Sequence, residues 1–216
     1  MSSEIKANSI QDKTGTRVLA SDSGSAWSWG AGVPSGSIVQ VQHTQFGTGN
    51  ESGDMTSLSG DTNYVLQSSG NTSGGGESGI LDVNITPKIA GSKMWLQGQI
   101  FGESSNDETY NMVFFFWRSV SSTHTKLASG VSANSPTEGE KGILTPSESY
   151  GQGADANSTP ATLFMQYFDT HGVSAGTQIT YKVGFAFTGT AINKWVTNRC
   201  AGNQYETGVS SIVAIE

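Results

Sequence analysis

This 216-residue chain has a single cysteine, Cys200, which excludes an internal disulfide framework. Its three histidines, His43, His124 and His171, show no i+2 or i+4 pair and none adjoins the cysteine, so no metal-ligand spacing is present and no metal or cofactor is expected. Charged residues are only 13% of the chain, no cluster of Lys and Arg occurs, and the net charge is −7, which makes nucleic acid and anionic membrane surfaces poor partners. No run approaches the roughly 18 apolar residues that read as a membrane-spanning helix, so no membrane insertion is expected. Residues 1–15 hold no apolar stretch of signal-peptide length, and the expectation is synthesis in the cytoplasm.

What the chain does have is small and polar. There are 28 glycines, Ser and Thr are abundant, and hydrophobic residues reach only 35%. That composition suits many short strands joined by tight turns and disfavours helical bundles, which draw on Glu, Lys, Leu and Ala. The clearest framework signal is residues 80–101, ILDVNITPKIAGSKMWLQGQIF. Leu81, Val83 and Ile85 alternate with Asp82, Asn84 and Thr86; Met94, Leu96 and Ile100 do the same if Gly98 is a gap on the core side. Two one-sided strands separated by a Pro and Gly connection predict a hairpin in an antiparallel sheet, and a sheet with one apolar face needs a second layer.

Residues 1–32 differ from the rest. Ile5, Ile10, Val18 and Leu19 are sparse apolar points with a turn signal at Thr14-Gly15-Thr16, and Trp27 and Trp29 follow in SAWSWGAG. Such a segment reads as an extended N-terminal arm whose six apolar residues dock on a body, a neighbouring subunit or another protein, because a free tail would leave two indole rings in water. Residues 33–216 then form one domain. Strands are expected at 37–44, 63–68, 109–120, 162–169, 177–188 and 208–215, with a weak one at 124–129, a surface loop at 45–60, a flexible turn at 68–79 and a loop-rich insertion at about 130–160. Residues 109–120, TYNMVFFFWRSV, predict a central strand buried on both faces, and 177–188 one with a single buried face. The fold class is all-β, the arm followed by an antiparallel, jelly-roll-like β-sandwich.

No catalytic constellation is legible. Carboxylates at Asp107, Glu108, Glu138, Glu140, Asp155 and Asp169 fall mostly in loops, without the pairing that glycoside hydrolysis needs or an Asp-x-Asp-x-Asp-Gly calcium pattern. Residues 70–79 lack the Gly-Lys-Ser/Thr ending of a phosphate loop, and no G-x-S-x-G elbow surrounds a serine. Tyr150, Trp195 and Tyr205 lie in or beside polar stretches, where aromatic faces stack on sugars.

The opening EIKANSIQDKTGTRVL, the run PSGSIVQVQ at 34–42, ITPKIAGSKMWLQGQI at 85–100 and the closing ITYKVGFAFTGTAINKW and GVSSIVAIE resemble virion proteins of tailed bacteriophages. The chain is similar to the small tail-fibre and capsid-decoration proteins common in marine phages. The resemblance spans the larger part of the chain and rests on framework motifs, with no counterpart for 45–60 or 130–160. It implies a non-enzymatic protein of the virion surface, made in the host cytoplasm, homotrimeric, docked to other virion proteins by its arm and exposing a sandwich toward host surface glycan. The alternatives are a free lectin-like carbohydrate-binding module and a glycan-degrading enzyme.

Overall fold

A computed structural model describes residues 36–47, 53–60, 62–104, 112–127, 142–145, 160–187, 194–202 and 205–216, and the backbone of strands within 9–29. Among the described residues all regular structure is β. Two sheets pack face to face as a β-sandwich. One has five strands, β6 (Tyr64–Val65), β8 (Asp82–Ile85), β10 (Met112–Val120), β11 (Thr123–Leu127) and β13 (Ile179–Phe187), in the order β11-β10-β13, with β6 and β8 sharing the far edge of β13. The other has seven: β4 (Val41–Phe46), β5 (Gly53–Thr56), β7 (Ser69–Gly70), β9 (Met94–Ser104), β12 (Ala161–Asp169), β14 (Lys194–Thr197) and β15 (Ser210–Ile215). There β9 is the spine. It pairs with β12 along one edge and with β15 and then β14 along the other.

The core lies between the sheets and follows the alternation. Val83 and Ile85, Met94, Leu96 and Ile100, Phe114 and Phe116, and Ile179, Tyr181, Val183, Phe185 and Phe187 all face inward and are buried. Each such side chain contributes roughly 1.5–3 kcal/mol on leaving water. Gly98 is the expected gap: a Cβ there would meet Met165 and Phe116 at 3.2–3.3 Å, so those two side chains fill the space.

Residues 80–101 are not a hairpin. The two strands belong to opposite sheets, β8 against β13 and β9 against β12 and β15, and the connection 86–93 is an arch that crosses the sandwich. One-sided alternation is satisfied equally by two strands side by side or by two strands facing each other across a core, and here the apolar faces confront one another.

Other expectations change with packing. The central strand is β10, with Phe114, Phe115 and Phe116 all fully buried. Its partner β13 is covered on both faces rather than one, since Lys182, Gly184 and Ala186 are buried too. Within the expected loop 45–60, β5 pairs with β14 and Met55 is fully buried. The insertion returns at 142–145, where Ile143 and Leu144 bond to both backbone groups of Phe114 and prolong the β11 edge. Residues 1–32, expected as an extended arm, hold a separate antiparallel meander of β1 (Ser9–Gln11), β2 (Arg17–Asp22) and β3 (Ala26–Trp29). Short runs with reversals between them satisfy their backbone groups by pairing with each other.

Candidate functional site

The two outer faces of the sandwich are unlike. On the five-stranded sheet, Val65, Phe115, Trp117 and Ala186 form a second small core, with Val113 and Ile143 packed against it. The stretch expected as a flexible turn, 68–79, begins with β7 in the other sheet, and its later part, 73–79, is a strap over this face. Gly75 lies so close that a Cβ would sit 2.6 Å from the Trp117 ring and 2.8 Å from His124 Cβ, an approach only glycine permits. Ser119 Oγ donates to the Gly75 carbonyl at 3.4 Å, and buried Lys182 donates to the Glu77 carbonyl. Trp117 Nε1 donates to the Tyr64 carbonyl at 3.2 Å, and Lys126 Nζ stands 4.3 Å over the Phe115 ring.

The outer face of the seven-stranded sheet carries no such cover among the described residues. Register places its side chains in transverse rows. The first is Phe168, Trp95, Ile215 and Val41; the second Gln166, Gln97, Val213 and His43; the third Phe164, Gln99, Ser211 and Gln45. Phe164 is 67% exposed, Phe168 63% and Val41 52%, and Ile38, just before β4, is 63% exposed. Phe168 stacks on Trp95 with ring centres 5.6 Å apart and planes 11° from parallel, so one aromatic pair forms a flat platform.

Two hollows open on this face. One, about 390 Å³, is lined by Gln97, Gln99, Phe164, Gln166, Ser211 and Val213, with no charged group. The second, about 560 Å³, lies between the 36–39 segment, the arch, and Trp95, Phe168 and Ile215. Lys93 and Glu216 also line the second, whereas the amide side chains and aromatic ring of the first, without charge, suit a neutral hydroxylated ligand or a protein surface.

The arch beneath the second hollow is held by one carboxylate. Glu216 accepts the Lys88 and Ile89 backbone N–H groups at 2.9 Å, Ser92 Oγ at 2.8 Å and Gln40 Nε2 at 2.5 Å. Burial alone would push this carboxyl up, but the four donors outweigh it and hold it below the usual carboxylate range.

A second polar group joins the sheets. Arg118 on β10 meets Asp169 Oδ1 at 2.7 Å, and Tyr181 Oη donates to Asp169 Oδ2 at 2.7 Å. Burial, with the Asp169 charge, pushes the Tyr181 hydroxyl well above its usual range, so it stays protonated. His171 Nδ1 accepts the Val173 N–H at 2.9 Å, and burial holds the imidazole below its ordinary value. Asp169 and Tyr181 are enclosed, so these groups fasten the two sheets and offer no surface to a substrate.

Of the residues singled out from sequence, Trp195 is corrected: it is fully buried, its ring edge-on to Phe114 at 5.3 Å and its Nε1 donating to Thr197 Oγ1 at 2.9 Å, so no sugar reaches it. Tyr205 is 98% exposed, in the excursion between β14 and β15 that an Arg199–Thr207 bridge closes. Tyr150 and Ile5 lie outside the described residues. In the meander Ile10, Leu19 and Trp29 share one transverse row, with Val18 and Trp27 elsewhere in the same strands. The open face of β12 was missed: TLFMQYFD is apolar on both alternating sets, and nothing local says which set meets water. Among the described residues no three His, Cys, Asp or Glu side chains gather to hold a metal ion. Family models, curated proteins and solved structures contain no match to this chain.

Proposed function

We propose that this chain is a non-enzymatic structural protein of a tailed-phage particle, a homotrimeric fibre or capsid-decorating protein that acts by binding. The observation that carries the binding role is the open face: Phe164, Phe168, Val41 and Ile38 stand in water on one sheet of a molecule that covers its other sheet. Concentrated exposed apolar groups on an otherwise buried architecture mark interaction surfaces. The motif resemblance supplies the particle, and segment 1–32 supplies the docking element, through Ile5, Ile10, Val18, Leu19, Trp27 and Trp29.

The test is localisation and dissection. Labelled antibody imaged on intact particles is expected on the capsid or tail surface, and the purified chain is expected to have a trimer's mass. Removing residues 1–32 is expected to abolish incorporation into particles while 33–216 still folds. Labelling absent from particles would overturn the proposal.

The uncharged hollow favours a second reading, a lectin-like module. Gln97, Gln99, Gln166 and Ser211 offer amide and hydroxyl partners to a sugar's hydroxyls, and Phe164 offers an exposed ring for its C–H face. Under that reading a monomer binds neutral glycans on an array, and Phe164→Ala abolishes the signal.

A further inference from the structure

The exposed apolar side chains of this face are not spread over it. They sit at its two borders, Phe164 and Phe168 on β12 and Val41 on β4, while Ile38, before β4, lines the hollow that Phe168 also lines. Both are edge strands: among the described residues β12 pairs only with β9, and β4 only with β15. Neither carries the devices that blunt a free edge. VQHTQF and ATLFMQYFD contain no Lys, Arg or Pro. Their one acidic residue, Asp169, is already engaged by Arg118 and Tyr181. In a chain of net charge −7, the two edges are therefore uncharged ground on which identical copies can meet without repulsion.

Topology makes the edges complementary to each other. The run β12-β9-β15-β4 has four strands, each antiparallel to the next, so β4 points opposite to β12. A second copy placed beside the first in the same orientation meets it β4 against β12, antiparallel, and the sheet continues without a break. The rows are flush: Phe168 shares a row with Val41, Gln166 with His43, and Phe164 with Gln45. The hydrogen-bond alternation set by Phe101 N–H on Ser210 Oγ and by Glu216 N–H on the Gln40 carbonyl turns the backbone groups of Thr162, Phe164, Gln166 and Phe168, and of Val41, His43 and Gln45, toward these edges.

We infer that the β4 edge of one copy pairs antiparallel with the β12 edge of the next, setting Val41 beside Phe168 and Gln45 beside Phe164 of the neighbouring copy. The contact is heterologous, and a rotation between successive copies closes it into a ring, where strict translation would continue an open sheet. Closure at three copies rests on the trimer proposed above, whereas the identity of the paired edges rests on the strands themselves.

Disulfide trapping tests this in the full chain carrying Cys200→Ser. Opposed residues in an antiparallel pair have Cα atoms about 4.5–5.5 Å apart, within disulfide reach. Val41→Cys with Phe168→Cys, and in parallel Val41→Cys with Gln166→Cys to cover a two-residue slip, should give covalent trimers on mild oxidation, with each single variant unlinked. A trimer by mass with no link in either pair overturns the edge pairing and leaves the proposed trimer standing. Dimers linked by Phe168→Cys alone overturn it in favour of a two-fold β12 contact, and a monomer overturns both. Phe168→Lys should raise the concentration at half-dissociation by about tenfold or more with unchanged circular dichroism; no change in that midpoint also counts against the pairing.

Discussion

The two outer faces of the sandwich start from similar material and end differently. Phe115 and Trp117 project from the five-stranded sheet as Phe164 and Phe168 project from the seven-stranded one. The first pair is covered by the chain itself, because a glycine-rich strap lies flat on the rings and 142–143 closes the side. The second pair stays in water. A few backbone contacts seal one aromatic face, whereas among the described residues nothing covers the other, and under the proposed function that difference separates a face that serves stability from one that serves binding.

The comparison breaks first at the shared core. Phe114 is fully buried against Trp195 and Phe185, and Phe114→Ala is expected to cost about 3–5 kcal/mol in denaturant unfolding. On the sealed face, Gly75→Ala forces a methyl group into the Trp117 ring and should cost about 1–3 kcal/mol, with a change in the near-ultraviolet signal of the indole. If that variant is as stable as the parent, the strap does not seal the sheet.

The arch between the faces gives a pH-dependent test. Glu216 is held below 4.5, so its contribution is complete above the usual carboxylate value, begins to fall as pH drops below it and is lost only as pH passes through the lower value the fold imposes. His171 is held below 6.5, so the fold keeps it neutral while the unfolded chain takes up a proton, and stability also declines as pH falls below 6.5. Glu216→Gln is expected to lose about 1.5–3 kcal/mol at pH 7 and to flatten the decline below pH 5, measured by urea unfolding across that range. The smallest effect on stability belongs to the open face. Phe168→Ala, which loses only the stack on Trp95, should cost no more than about 1 kcal/mol of unfolding free energy while weakening self-association, a split that its sealed counterpart Trp117→Ala cannot show.

Much of the fold was legible because alternation is a local property. Met94, Leu96, Ile100 and the odd-numbered positions of 179–187 face the core as their spacing requires. Sheet membership was not, since the same alternation serves a hairpin or an arch. Trp195 read as a surface aromatic because its short strand sits among polar residues, yet β5 and β9 flank it and turn the ring inward. The strap read as flexible because glycine signals freedom, while here it signals close approach to Trp117.

By itself the sequence determined an all-β chain, the central aromatic strand and the inward set of each one-sided strand, because composition and period act within a few residues. Only the tertiary structure decided which strands face each other and, among the described residues, which aromatic face is covered and which edges stay free. Those outcomes depend on contacts between segments distant in the chain, such as Glu216 with the arch at Lys88 and Ile89, or Gly75 with Trp117, and no local pattern carries them.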